Sequence, residues 1–370
     1  MMKTSSLIRF LLVLSAICLA GAGDSFPCST FVLQSEGDLV FGRNWDFFSS
    51  KGLVVINKRD VAKTAFLAPP ENPVSWVSKY GSITFNQIGK EFPFGGMNEA
   101  GLVVETMWLD ETVYPAPDER PGIMEVQWIQ YQLDNCATVE EVIATHDRLR
   151  IARDQSASKL HFLICDRSGK AATVEFLGGR LVSRTGNDLP VAALTNSTYR
   201  ESLQFRKAYD SLEPAQQINN TSLDSKERFA TIARRIRDYR RDNIRPTVEY
   251  AFDILGSVTQ GKFGRHCTAW TVVYDIRNMQ IYFKTYENRE LRIVSFADFD
   301  FSCPAPSLVF DMGNGLTGEV STKFIAYTPE ANRNLVSSVM AIYNEVGFMD
   351  EVSPAAIELL SGYPESLGCR

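Results

Sequence analysis

The sequence predicts an α+β fold in which antiparallel sheets carry helices on their outer faces. Three observations lead there: strand-like and helical runs come in separate blocks, the strands are joined by tight turns, and no composition shift or long linker divides the chain. One domain is therefore expected over residues 28–370. At 45% apolar and 22% charged, 370 residues have ordinary globular content and can bury one large core or two modest ones. The net charge of −6 is mild and basic residues do not dominate, so nucleic acid is not expected as a partner.

Strands are expected at Ser29–Gln34, Leu39–Phe47 and Leu53–Lys58, the first two joined by the turn Ser35-Glu36-Gly37-Asp38. Ser82–Ile88 and Gly101–Leu109 continue the block. Helical spacing follows over Met124–Leu133 and Val139–Leu149, the second opened by Thr138 and Glu141 at capping-box distance. Strands return at Leu160–Asp166, Ala172–Phe176 and Pro190–Thr195. Helices are expected over 198–210, 225–241 and 247–257. A hairpin then joins Thr268–Tyr274 to Gln280–Thr285, and a helix near Pro329–Val346 is expected to close the chain.

Residues 1–23 read as a secretory signal. Lys3 and Arg9 precede the apolar run Leu11–Ala20, and small residues at Ala20–Gly23 suit a signal peptidase. A lipid anchor on Cys18 is disfavoured by the bulky Ile17 beside it. Beyond the leader no apolar stretch reaches about 18 residues, so no membrane anchor is expected. The product should be exported, periplasmic or secreted, with residues 24–27 as a short pro-segment. Losing residues 1–27 removes two cations and one anion and takes the charge from −6 to −7.

Of seven cysteines, Cys18 leaves with the leader. The other six could form three disulfides, but their spacings are wide and irregular, and a core of this size needs no staples. Cys165, inside Leu160–Cys165, reads as a small buried hydrophobe. If Cys28 stays free, at least one more cysteine is unpaired. No C-x-x-C pair occurs, so no structural zinc is expected.

The chemistry concentrates around Cys28. Turning at residues 35–38 sets residues 43–46 opposite 27–30 on strands about 5 Å apart, within reach of the thiol. Arg43 beside the thiol should lower its pKa, and Asp46 can hold an ammonium. Thiol attack on the peptide carbonyl preceding Cys28 would release the α-amine. With an unperturbed pKa near 8, that amine can act as the base for its own thiol. Such a nucleophile needs no histidine, and His146, His161 and His266 all read as structural.

Cys28-x-x-Phe31, Phe41–Asp46 and Gly96–Leu102 resemble the choloylglycine hydrolases, the N-terminal-nucleophile amidohydrolases that include bile salt hydrolases and penicillin V acylases. Leu194–Ser197, Ser225–Phe229 and Thr285–Asn288 continue the resemblance in family order over about residues 28–290. It implies a four-layer αββα sandwich of the N-terminal-nucleophile hydrolase type. Cys28 is then nucleophile and, through its amine, base. Arg43 sits against the thiol, Asp46 binds the amine, Asn196 is a side-chain oxyanion donor, and Arg228 supports the site. Helical spacing agrees on Arg228: with Asp224 and Glu227 at N-cap and N3, it shares the inward face with Ile232 and Ile236, whereas Arg234, Arg237, Arg240 and Arg241 should be solvated.

The chain departs from the family's pattern at Trp108, where bile salt hydrolases carry asparagine and many penicillin V acylases tyrosine. The alignment makes its backbone N–H the second oxyanion donor and its indole a wall of the acyl pocket, with Trp45, Phe47 and Phe48 nearby. The expected partner is a small N-acyl amide: penicillin V or an N-acyl homoserine lactone, with conjugated bile salts ranked last. No cofactor or metal is implied, and a homo-oligomer is left open. One rival is a papain-like protease, but Pro27–Phe31 does not resemble its Cys-Gly-Ser-Cys-Trp segment. The other is an exported binding protein in which Cys28 is structural. Asn196-Ser197-Thr198 and Asn219-Asn220-Thr221 match a glycosylation pattern, though a glycan on Asn196 is incompatible with a site role.

Overall fold

Ser29–Gln34 and Leu39–Phe47 pair antiparallel around a turn in which Ser35 N–H donates to Asp38 O (3.1 Å) and Gly37 takes φ 89°. In this computed structural model the described residues are 27–35, 37–152, 158–211, 224–242, 245–261, 267–348 and 352–370. The leader, residues 24–26, His266 and Asn219–Thr221 lie outside them, as do the side chains of Arg240 and Arg241.

The first hairpin supplies the second and third strands of a seven-stranded sheet. Its order is Ala193–Leu194, Ser29–Gln34, Leu39–Phe47, Cys267–Asp275, Gln280–Thr285, Arg292–Ser295 and Gly318–Glu319. The last pair is parallel and the others antiparallel. A nine-stranded sheet faces it, in the order Arg180–Thr185, Ala171–Leu177, Leu160–Cys165, Val103–Trp108, Pro93–Asn98, Ser82–Asn86, Leu53–Asn57, Leu308–Asp311 and Ile325–Ala326. Phe85 of the second sheet meets Phe283 (5.5 Å between ring centres) and Tyr274 (6.2 Å) of the first, so apolar side chains of both fill the space between.

Helices Ser225–Asp242 and Thr247–Gly256 cover the outer face of the seven-stranded sheet, where Asn44 Nδ2 donates to Leu255 O (2.9 Å). Glu125–Asn135 and Val139–Ala144 cover the outer face of the nine-stranded sheet, with Trp128 on Phe162 (4.4 Å). The order of layers is αββα, as expected. No helix among the described residues is long and apolar enough to cross a membrane.

The differences have local causes. The helix expected over Val139–Leu149 has its capping box but stops at Ala144. Thr145 Oγ1 donates back to Val142 O (2.7 Å), and a 3₁₀ turn Thr145–Asp147 follows. The strand expected at Pro190–Thr195 shrinks to Ala193–Leu194 because the Tyr199 hydroxyl takes both backbone groups of Val191 (3.2 and 2.9 Å). Pro329–Glu345 does not close the chain. A further helix, Pro354–Gly362, capped by Ser353, and a short strand Gly368–Cys369 come after it. Cys369 is bonded to Cys303, whereas Cys28, Cys136, Cys165 and Cys267 are free and buried. Of the three disulfides that six cysteines could form together, one is present among the described residues.

Candidate active site

The pleat decides which groups can reach the thiol. Ser29 pairs with Asn44 and Thr30 with Arg43. Counting by twos, Arg43 and Trp45 point between the sheets, whereas Asn44 and Asp46 point to the helical side. Arg43 therefore reaches the sulfur itself, with Nη2 3.8 Å from Cys28 Sγ. Asp46 sends its side chain to the opposite face, while its backbone O lies 4.0 Å from Cys28 Sγ. Its Oδ1 accepts from Thr268 Oγ1 (2.5 Å), and its buried Oδ2 has no hydrogen-bond partner among the described residues.

Arg228 enters from the helix Ser225–Asp242 and is 3% exposed, with Ile232 and Ile236 buried on the same face. Asp224 caps that helix through Lys226 N–H (2.8 Å) and Glu227 N–H (3.2 Å). Arg228 donates from Nε to Ser29 Oγ (3.2 Å), and from Nη2 to Cys28 O (3.3 Å) and Asn196 Oδ1 (2.7 Å). Arg234 and Arg237 are half-buried rather than solvated, and Arg237 pairs with Asp210 and Asp238.

The Asn196 side chain is held at both ends. Its Oδ1 takes the Arg228 bond, and one hydrogen of Nδ2 goes to Trp108 O (2.9 Å), which leaves the amide's second hydrogen for another acceptor. Its backbone N–H is fixed by Ser225 Oγ (2.8 Å), and the carbonyl of Thr195 before it meets His161 Nε2 (2.7 Å). His161 is thus buried support for this loop, and His146, on Arg120, is far from it. With both ends of its amide engaged and only 8% exposed, Asn196 is not placed to carry a glycan.

Cys28 opens onto a cavity of about 40 Å³ lined by Trp45, Phe47, Phe94, Trp108, Leu160 and Phe348, among others. The Trp108 indole is anchored through Nε1 on Asp110 (2.7 Å). Phe48 is set back from the cavity, packed on Phe47 and Phe348.

The electrostatics differ from expectation at the thiol. Burial pushes Cys28 up to about 11, outweighing the lowering by Arg43. Burial likewise lifts Asp46 to about 7, against the Thr268 hydrogen bond and the charges of Arg228 and Arg43. Burial works against the Arg43 cation, but Glu105 beside it holds its pKa above the usual range.

Glu105, Tyr274, Thr268 and Ser225 were not anticipated. Glu105 had a readable signal: it is a lone acid inside the apolar run Val103–Trp108, and a buried acid demands a partner. Ser225 opens the family-like segment Ser225–Phe229 but was given no role of its own, and Thr268 carries no signal, because small hydroxyl residues are common in such settings.

Comparison with known proteins agrees with this geometry. A family described as linear amide C–N hydrolases, choloylglycine hydrolase family, matches residues 28–309. Penicillin V acylase from Pectobacterium atrosepticum is 29% identical over 154 residues, a match that spans 38% of this chain and 40% of that protein. The structure of penicillin V acylase from Agrobacterium tumefaciens superposes with a TM-score of 0.71 at 24% identity, covering 82% of this chain and 98% of that one. A variant of the conjugated bile acid hydrolase of Clostridium perfringens follows at 0.65 and 19%, covering 78% and 98%. These two likenesses establish the fold, the four-layer αββα sandwich. The match over residues 28–309 establishes more: the chain belongs to the choloylglycine hydrolase family of linear amide C–N hydrolases.

Proposed function

We propose that the chain is exported, loses residues 1–27, and hydrolyses N-acyl amides with an aromatic or aliphatic acyl group through Cys28. Penicillin V and N-acyl homoserine lactones rank ahead of conjugated bile acids as substrates. The observation that carries this reading is Cys28 Sγ in the wall of an aromatic cavity, 3.8 Å from the Arg43 guanidinium. The indole of Trp108 in that wall favours flat or flexible apolar acyl groups. The leader pattern and the Cys303–Cys369 disulfide support export.

In the precursor, attack of the Cys28 thiol on the carbonyl of Pro27 followed by hydrolysis frees the α-amine. Asp46 Oδ2, buried and without a partner, is the natural acceptor for the resulting ammonium. In the mature form the amine takes the thiol proton and the thiolate attacks the substrate amide carbon. The oxyanion accepts from the second Nδ2 hydrogen of Asn196 and from the Trp108 backbone N–H. Collapse breaks the C–N bond, and the ammonium returns its proton to the leaving amine. Water, deprotonated by the same amine, then cleaves the thioester and restores the thiol.

Intact-mass analysis of exported protein tests this together with a panel of a phenoxyacetyl amide, N-acyl homoserine lactones and glycine- or taurine-conjugated bile acids. A mature N-terminus at Cys28, turnover of the first two classes and none by Cys28→Ala are expected. An active form that retains Asp24 to Pro27 overturns the amine mechanism. Ligand binding without turnover by the processed chain overturns the enzyme reading.

A further inference from the structure

One charged group at the site belongs to none of the steps above. Glu105 stands on Val103–Trp108 in the opposite sheet and points across the interface between the sheets, 2% exposed. Its Oε2 forms an ion pair with Arg43 Nη1, and its Oε1 accepts from the Tyr274 hydroxyl (2.5 Å). Arg43 Nη1 also donates to Phe94 O (3.4 Å), and the guanidinium lies 4.8 Å from the centre of the Trp45 ring. With Nη1 held in this way, Nη2 is the nitrogen turned to the Cys28 sulfur.

We infer that Glu105 is a positioning residue for the nucleophile: acting through Arg43, it sets the guanidinium against the Cys28 sulfur and offsets its charge. The inference rests on the reading of Cys28 as the nucleophile. The neighbouring strand is shaped around this carboxylate. A Cβ on Gly95 would lie 2.0 Å from Glu105 Oε2, so the bare backbone of Gly95 reserves the volume that the ion pair occupies. The geometry also separates two roles for one arginine. A buried guanidinium without a counter-ion would turn towards whichever anion is nearest. Here it is tied to a fixed anion, and only its second nitrogen is offered to the sulfur.

Among the described residues, the charged and titratable groups around the sulfur are Arg43 and Tyr274 on the inner face of its own sheet, Glu105 from the opposite sheet, and Asp46 and Arg228 on the helical side. Replacing Glu105 by Gln keeps its shape and removes the charge that offsets Arg43. The thiolate then faces an uncompensated cation, and the thiol loses its proton at lower pH.

The test uses the mature enzyme, with turnover normalised to the fraction that begins at Cys28. In Glu105→Gln, the acidic limb of kcat/KM and the pH midpoint of iodoacetamide alkylation of Cys28 should both move down by about 1 unit. In Glu105→Ala, where the guanidinium is untethered, kcat should fall by up to about 10²-fold with KM little changed. Midpoints of Glu105→Gln at wild-type values overturn the inference and leave a packing role. If Glu105→Gln does not fold, Tyr274→Phe, which frees the other carboxylate oxygen, reads the same clamp; wild-type kcat and alkylation midpoint in that variant overturn it equally. Turnover that survives in Cys28→Ala is a separate outcome, which removes the nucleophile and with it the premise.

Discussion

Asp46→Asn should abolish a pH dependence of stability that exists only while Cys28 is blocked by its pro-segment. On the proposed self-processing, the variant Cys28→Ala keeps that segment, because no thiol is present to release it. In this form the Asp46 carboxyl is buried, with one oxygen on Thr268 and the other unpartnered, and burial holds its pKa at about 7 against an ordinary 3.8. A folded pKa above the unfolded one means that the folded state binds the proton more tightly. The stabilisation is full below about pH 4, declines as pH rises towards about 7, and is gone above that. The gap of about 3 units corresponds to about 4 kcal/mol. Urea unfolding across that range should show Cys28→Ala losing about this much, and Cys28→Ala/Asp46→Asn losing far less. In the proposed mature enzyme an ammonium faces Asp46, which favours the carboxylate and removes the decline. Identical pH curves for the two variants would falsify the buried, proton-binding carboxyl and the amine-binding role argued from it.

Two further outcomes are expected. Asn196→Ala removes the donor proposed for the developing oxyanion, so kcat should fall by about 10²–10³-fold, or about 2.7–4 kcal/mol, with KM little changed; normal kcat with raised KM would place its role in ground-state binding instead. Cys369→Ser opens a disulfide spanning a sequence separation of 66 residues and should cost about 4 kcal/mol in urea unfolding while kcat/KM stays at the wild-type value; an unchanged unfolding midpoint would show that the bond does not constrain the unfolded chain.

The first hairpin was legible to the residue because alternation and a Gly-containing turn fix register together: Ser29 opposite Asn44 follows from the turn at residues 35–38. Arg228 was legible through helical spacing and a cap. The strand Pro93–Asn98 was not, since Pro93, Gly95 and Gly96 carry no strand signal. It is a strand because its glycines allow close approach, Gly95 to Glu105 and Gly96 to the Ile83 carbonyl, where a Cβ would lie 2.5 Å away. The helix Pro354–Gly362 was legible and passed over, with Ser353 and Pro354 forming an ordinary start signal. The thiol pKa was missed for a different reason. Which groups surround a cysteine can be read from pairing, but how deeply it is buried depends on the second sheet, and burial outweighs Arg43 here.

The parity of one strand explains how the nucleophile and the base of a single residue can be tuned separately. Arg43 and Asp46 are three apart, so the pleat sends them to opposite faces of the seven-stranded sheet. On the inner face the sulfur meets Arg43, whose charge Glu105 offsets; on the helical face stands the Asp46 carboxyl, whose charge Arg228 offsets. Before proton transfer, the thiol and amine of the proposed mature Cys28 each face a nearly neutral pair. After it, the thiolate has the cation of one pair nearest and the ammonium has the anion of the other. Transfer within the residue therefore creates two charges, each beside its opposite, and leaves the site's net charge unchanged. A one-residue shift of Asp46 would put both acid and arginine on the sulfur's side, where the carboxylate would raise the thiol further and the amine would have no acceptor. For that reason the spacing of Arg43 and Asp46, more than the identity of either residue alone, makes this strand a site.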